Sequence, residues 1–240
     1  MVFFTGAGIS TESGIPDFRS PGGIWTKAAP IEFQDFLASE ESRRESWRRK
    51  MILDQSISTA EPNRGHRAIA SLVKSGTCTA VITQNIDGLH QQSGIPDSKI
   101  IELHGNGTYA SCLGCGQRYE LPPIFEAFER DETLPVCTHC TGIVKTATIS
   151  FGQSMPEAEM LRAQQVSESC DLFIVVGSSL VVYPAAALPV LAKNNGASLV
   201  ILNREPTDLD EYADLVLHNE AGESLGQACN VEECTLDCIA

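Results

Sequence analysis

Basic residues are scarce in this sequence. Lys and Arg number 17 among 240 residues against 31 Asp and Glu, which leaves a formal charge of −14 at pH 7. A general nucleic-acid binder needs a basic face to release counterions from phosphates, so no nucleic-acid partner is expected. A basic partner, such as a lysine-bearing peptide, suits the charge. Long apolar runs are missing as well. Nothing approaches the roughly 20 residues that span a bilayer, and Met1-Val2-Phe3-Phe4 runs straight into a glycine-rich loop rather than a signal-peptide core. No membrane partner is expected, and there is no internal repeat or low-complexity segment. What is present, 42% hydrophobic and 20% charged residues, describes an ordinary globular chain. Its length suits one large domain, or a large domain with a small insert.

Cysteine is not scarce: there are nine. A chain this long does not need a disulfide scaffold, and four of the nine fall into two pairs, Cys112-Leu113-Gly114-Cys115 and Cys137-Thr138-His139-Cys140. Each CxxC turn points two sulfurs at one place, so two pairs make a tetrahedral zinc site. Four protein ligands leave no open position, which predicts one structural zinc rather than a catalytic one. Unpaired thiols and a thiolate site point to a reducing cytoplasm. Cys229, Cys234 and Cys238 crowd the C-terminus, where a mobile tail is expected rather than a second metal site.

Val2–Thr5, Ala80–Thr83, Leu172–Val176 and Ser198–Leu202 are short continuous apolar runs, the pattern of parallel strands buried on both faces. Each ends in small or polar residues: Gly6-Ala7-Gly8, Gln84-Asn85, Gly177-Ser178-Ser179 and Asn203. Helical segments fall between them at 64–74, 156–169 and 184–195. Alternating strand and helix predicts an α/β fold with a Rossmann-like, doubly wound parallel sheet. The ligand crevice of such a sheet lies at the carboxyl ends of its strands, where the polar clusters converge. Two stretches interrupt the alternation. Residues 31–57 are charged and helical in period, with Trp47 and Met51 as candidate packing residues, and residues 107–146 carry the cysteines and show no long strand. The expected division is a large nucleotide-binding lobe of residues 1–25, 62–106 and 147–240. Residues 26–61 and 107–146 would form a smaller inserted helical and zinc-binding lobe over the crevice.

Gly6-Ala7-Gly8 after a strand suits a tight turn and close backbone approach to a pyrophosphate. The third glycine of the dinucleotide fingerprint is missing, since position 11 is Thr11. Taken alone, a structural turn and a phosphate loop remain equally open. The polar stretch Gly14-Ile15-Pro16-Asp17-Phe18-Arg19 favours the second.

These motifs together resemble the sirtuins, NAD-dependent protein lysine deacylases, in a bacterial-like form. The resemblance is carried by Gly6-Ala7-Gly8-Ile9-Ser10, Gly14 to Arg19, Thr83-Gln84-Asn85-Ile86-Asp87-Gly88-Leu89-His90 and Leu103-His104-Gly105. The two CxxC pairs, Phe151-Gly152, Gly177-Ser178-Ser179-Leu180 with Val182 and Pro184, and Asn203 follow in the family's order. It runs from residue 2 to about residue 205.

The resemblance implies that NAD+ is a consumed co-substrate. The acyl-lysine oxygen attacks the ribose carbon as nicotinamide leaves, an alkylimidate forms, and a histidine acts as general base on a ribose hydroxyl. Water then releases lysine and O-acetyl-ADP-ribose. His104 matches that histidine, and an imidazole suits the task because its ordinary pKa lies near working pH. Asn85 and Asp87 match the residues that hold the nicotinamide carboxamide, beside Ile86, and Gln84 is placed to bond the ribose. Asp17, Phe18 and Arg19 match the cofactor loop, with Phe18 shielding the reactive carbon. Gly6, Ala7, Gly8, Ser10, Gly177, Ser178 and Ser179 belong to the phosphate side, and Asn203, Arg204 and Glu205 to the adenosine ribose. The acyl-lysine peptide would add as a strand between Ser150-Phe151-Gly152 and Leu180-Val181-Val182. Ile149, Phe151 and Val182 would form an apolar tunnel for the lysine stem.

Several positions depart from the family pattern. Lys145-Thr146-Ala147-Thr148 replaces a common Arg-Pro-Asp stretch, Gln153 a common Glu, and Ser178 a frequent Thr. Residues 26–36 hold no Tyr-x-x-Arg pair, which in some members binds acidic acyl groups; Lys27 is the one nearby cation. Two other readings stay open at this stage: a mono-ADP-ribosyltransferase or NAD hydrolase using the same pocket, and a non-catalytic NAD-sensing module.

Overall fold

The computed structural model describes residues 1–17 and 29–232. Phe18, Arg19, Trp25 and Lys27, together with Cys234 and Cys238, lie outside the described residues. The first half of the chain contains β1 (Val2–Thr5), α1 (Phe33–Ala38), α2 (Glu40–Ile57), α3 (Arg64–Lys74), β2 (Ala80–Thr83), α4 (Leu89–Gln92), β3 (Ile100–Glu102) and β4 (Gly105–Cys112). The second half adds β5 (Arg118–Glu120), α5 (Leu121–Asp131), β6 (Val144–Thr148), α6 (Glu157–Ser169), β7 (Leu172–Val176), α7 (Leu188–Asn194), β8 (Ser198–Leu202), β9 (Leu215–Leu217) and α8 (Ala221–Cys229).

Six strands form one parallel sheet in the order β3-β2-β1-β7-β8-β9. The chain winds outward from β1 to β3 on one side and from β7 to β9 on the other, so the switch point lies between β1 and β7. Both faces are covered, because alternate side chains enter different cores. Val2, Phe4, Ile82, Phe173, Val175 and Leu199 pack on one side with α6 and α7. Phe3, Val81, Val176 and Leu202 pack on the other with α3 and α8. All four residues of β1 are buried. Each fully buried aliphatic or phenyl side chain contributes roughly 1.5–3 kcal/mol of transfer free energy, which is why these runs need no polar alternation.

A second sheet, β5-β4-β6, is antiparallel. Its core joins the two interrupting stretches: Trp47 of α2 packs with Ala110, Cys112, Leu121, Phe128, Cys137 and Val144. The Arg48 guanidinium reinforces the join with a two-pronged contact to Glu132, at 2.7 and 2.6 Å. Two expectations are corrected here. Residues 107–146 do hold a long strand, since β4 runs for 8 residues. Residues 31–57 are helical as expected, in two helices: Ser39 is extended, and its hydroxyl caps α2 by accepting the Ser42 amide. Cys229 ends α8 and packs partly buried against the second core rather than belonging to a loose tail.

Candidate functional site

A cleft of about 910 Å³ opens along the carboxyl ends of the central strands. Gly6, Ala7 and Gly8 line it after β1, Gln84, Asn85 and Ile86 after β2, Gly177, Ser178 and Ser179 after β7, and Asn203, Arg204 and Glu205 after β8. Asp17, His104, Ile149, Phe151, Gly152, Leu180 and Val182 complete the expected set on the same cavity. Ser10 and Asp87 do not line it.

The turn after β1 becomes a 3-10 helix, Ala7–Ser13, not an α-helix. The Gly6 amide donates to the Val176 carbonyl at 3.0 Å and the Gly8 amide to the Gly177 carbonyl at 2.8 Å. These glycines therefore serve first to bring the turn against β7. Gly177 has φ +62, and a Cβ there would lie 2.3 Å from the Ile9 nitrogen, so only glycine fits the switch point.

His104 stands between β3 and β4, half-buried. Its Nδ1 lies 3.1 Å from the Gln84 carbonyl. A carbonyl only accepts, so Nδ1 carries the proton and Nε2 keeps the lone pair, the tautomer a base requires. The next residue allows this placement: Gly105 has φ +71, and a Cβ there would meet the Ala147 carbonyl at 2.1 Å.

Asn85 is buried, and its amide donates to the Gly6 carbonyl at 3.1 Å and to Ser10 Oγ at 3.2 Å. With both amide protons used, Oδ1 is the atom left to accept from a ligand. The Ser10 hydroxyl donates in turn to Asp87 Oδ2 at 2.7 Å, and the Leu89 amide to Oδ1 at 3.0 Å. Burial pushes the Asp87 carboxyl above its ordinary pKa, while these two donors pull it down. Asp87 thus braces Asn85 through Ser10. The Gln84 side-chain amide donates to Ser178 Oγ at 2.8 Å, tying the ends of β2 and β7.

The two segments expected to flank a peptide are not strands. Residues 150–152 form a turn with Gly152 at φ +76, and residues 180–182 are irregular. Two of their carbonyls are already engaged: the Phe33 amide donates to Phe151 and the Ala186 amide to Val182. Apolar surface is nonetheless offered beside them, with Phe151 40% exposed and Val181 47% exposed.

The four cysteine sulfurs lie within 4.8 Å of one another. The cradle is built around them: the Gly114 amide donates to Cys112 Sγ at 3.3 Å and the Tyr119 hydroxyl to Cys137 Sγ at 3.1 Å. A Cβ at Gly142 would approach Cys112 Sγ to 3.0 Å. Four sulfurs gathered on one point, two of them accepting these hydrogen bonds, fit a structural zinc. None of the four lines the cleft.

Residues 6–184 match the Sir2 family. The chain belongs to that family. It is 60% identical over 226 residues to NAD-dependent protein deacetylase 1 of Bradyrhizobium diazoefficiens, covering 94% of this chain and 89% of the relative. It is 43% identical to NAD-dependent protein deacylase 2 of Archaeoglobus fulgidus, covering 93% of this chain and 87% of the relative. A solved structure of Sir2 with a p53 peptide and NAD+ gives a TM-score of 0.85 at 36% identity, covering 95% of this chain and 91% of that one. Sir2Tm bound to a propionylated peptide gives 0.85 at 34% identity, covering 96% and 93%.

This Sir2-family cleft also has walls that the sequence reading missed. Ser46, Arg49, Leu53 and Ser56 line it from one face of α2, and Asn219, Glu220 and Ala221 from the turn between β9 and α8. Arg49 donates to Glu45 at 2.7 Å and to the Ala29 carbonyl at 2.6 Å, so the cleft does contain a cation. The helical spacing of 46, 49, 53 and 56 was a usable signal, masked by the charges around it. No helix among the described residues is long and apolar enough to cross a membrane.

Proposed function

We propose that this chain is an NAD+-dependent protein-lysine deacetylase that moves the acyl group to ADP-ribose and releases nicotinamide. One observation carries the reading: a histidine held as the Nδ1–H tautomer on the wall of the switch-point cleft of a Sir2-family chain. His104 takes the proton of a ribose hydroxyl at Nε2. Asn85 offers Oδ1 to the nicotinamide carboxamide beside Ile86, and Asp87 and Ser10 hold Asn85 in place. Gly6, Ala7, Gly8, Gly177, Ser178 and Ser179 bound the phosphates, with Gln84 fixing Ser178. Asn203, Arg204 and Glu205 take the adenosine ribose, and Asp17, Phe18 and Arg19 the loop side. Ile149, Phe151, Gly152, Leu180 and Val182 receive the acyl-lysine.

Cys112, Cys115, Cys137 and Cys140 hold one zinc, which supplies fold and no chemistry. The division into lobes at residues 25/26, 61/62, 106/107 and 146/147 belongs to the same proposal, supported by the separate core around Trp47. A reducing cytoplasm suits the seven unbridged cysteines among the described residues, four of which are the proposed zinc ligands.

Purified protein, NAD+ and an acetyl-lysine peptide should yield free lysine peptide, nicotinamide and O-acetyl-ADP-ribose, resolved by product mass. Free ADP-ribose with the peptide still acetylated would instead identify an NAD hydrolase, and a mass gain of ADP-ribose on the peptide a transferase.

Acyl preference follows from the same walls. Ile149, Phe151 and Val182 are apolar, and a succinyl carboxylate entering among them loses hydration worth several kcal/mol. The charge of Arg49 is already offset by Glu45, and its Nη1 donates to the Ala29 carbonyl, so it is a weaker partner for a succinate than an uncompensated cation. Acetyl- and butyryl-lysine peptides are expected to exceed the succinyl version in kcat/KM by at least ~10-fold, which needs a difference of only about 1.4 kcal/mol. Equal desuccinylation that disappears in Arg49→Gln would reverse this conclusion and make Arg49 the carboxylate partner.

A further inference from the structure

Three buried polar side chains that do not line the cleft form a hydrogen-bonded chain to Asn85, and a fourth, His66, packs against its far end. Thr5 and Thr83 end β1 and β2 in register with one another and are 0% and 2% exposed. The Thr5 hydroxyl donates to Thr83 Oγ1 at 2.9 Å, and Thr83 Oγ1 accepts the Asn85 backbone amide at 3.0 Å. His90 Nε2 lies 2.9 Å from Thr5 Oγ1. The Thr5 proton is committed to Thr83, so the imidazole is the donor and its proton sits on Nε2. His66 of α3 stands edge-on to that ring, with centroids 5.1 Å apart and planes at 61°, and fixes its orientation.

This arrangement is costly for packing alone. Both rings are buried, at 0% and 2% exposed, and His90 Nδ1 and both His66 nitrogens have no hydrogen-bond partner among the described residues. Leucine and valine would fill the same space without that desolvation cost. Burial also holds His90 down to about 4, so the ring is neutral at working pH and has a single proton to donate. A polar chain retained at a cost, one hydrogen bond away from a ligand-facing amide, is the signature of a group kept for what it orients.

We infer that His90 is a positioning residue for the nicotinamide end of the cleft: through the Thr5–Thr83 hydroxyl pair it fixes the backbone of Asn85, and with it the direction of Asn85 Oδ1. Asn85 is then held from two sides. Ser10 and the Gly6 carbonyl hold its side chain, and the hydroxyl relay holds its main chain. The inference rests on the proposed assignment of Asn85 to the nicotinamide carboxamide.

The test uses the full-length zinc-containing protein with four changes: His90→Leu, which removes the donor; His90→Gln, whose amide nitrogen can stand near Nε2; Thr5→Val, which removes the hydroxyl at constant shape; and His90→Leu with Thr5→Val. Melting temperature and zinc content are measured first. The kinetic readouts are the nicotinamide inhibition constant, kcat/KM for NAD+ and KM for the acetylated peptide. His90→Leu and Thr5→Val are each expected to weaken nicotinamide inhibition and lower kcat/KM for NAD+ by about 10-fold, leaving the peptide KM unchanged. His90→Gln should recover most of the loss, and the double variant should be no worse than either single one. Wild-type nicotinamide inhibition in His90→Leu, an additive double variant, or a peptide KM that moves with the NAD+ parameters would overturn the relay. If His90→Leu does not fold, Thr5→Val carries the test, and if neither folds the role is structural and the inference falls. A wild-type protein that releases no nicotinamide defeats the proposed function instead, so the two failures are distinguishable.

Discussion

Replacing His104 with alanine is expected to lower turnover by about 10²–10⁴-fold, the usual contribution of a general base, while NAD+ still binds. The reason lies in which atoms the histidine holds. Its Nδ1 donates to the Gln84 carbonyl. Gln84 does not depend on it, because the Gln84 amide donates to the Thr5 carbonyl at 3.0 Å and its side chain is tied to Ser178. The His104 carbonyl, which accepts the Ile149 amide at 2.8 Å, is main chain and survives the substitution. The cleft should therefore keep its shape and lose its proton acceptor. Steady-state kinetics beside calorimetric NAD+ titration would decide. Near-normal turnover, or inactivity explained by lost NAD+ binding, would remove His104 from the base role.

The large sheet was legible because its strands are buried on both faces. Val2–Thr5, Ala80–Thr83, Leu172–Val176 and Ser198–Leu202 all read as continuous apolar runs and are all strands at those bounds. The edge strand β9 escaped notice: three residues, one exposed and two half-buried, leave no run to read. β4 was missed for a different reason. Gly105 to Cys112 mixes Gly, Asn, Thr and Ser, and its strand character comes from pairing with β6 and from the core around Trp47, which are tertiary effects.

The cleft was readable where it is built from strand ends, since small and polar residues after an apolar run have few other uses in a parallel sheet. Gly6, Gln84, Gly177 and Asn203 all came to one cavity for that reason. The α2 wall was not readable, because Arg49 sits among eight other charged residues from Glu40 to Asp54 and looks like part of a solvated face. Nor could spacing separate Asn85 from Asp87. Both are polar, two residues apart, yet one faces the cavity and the other braces it through Ser10.

Cys137→Ala is expected to abolish stoichiometric zinc and unfold the cysteine-bearing sheet. Apparent binding free energies of structural zinc are about 10–16 kcal/mol at neutral pH, as large as the whole stability of a typical domain, about 5–15 kcal/mol. The local core cannot make up the loss. It consists of eight buried residues, two of which, Cys112 and Cys137, are themselves zinc ligands. Without metal, four sulfurs crowd within 4.8 Å, and hydrogen bonds such as those from Tyr119 and the Gly114 amide do not replace a divalent cation. Trp47, 2% exposed in that core, reports the event: its emission should shift to the red as the sheet opens. Activity should fall with it, because β4 and β6 carry His104 and Ile149 at their cleft ends. Replacing zinc with cadmium in the wild-type protein should, by contrast, leave kcat within about 2-fold, since a four-thiolate site offers the reaction no open position. A zinc-free Cys137→Ala protein with native Trp47 emission and full activity would show that the metal does not hold the fold, and a large change in kcat with cadmium would show that it takes part in the chemistry.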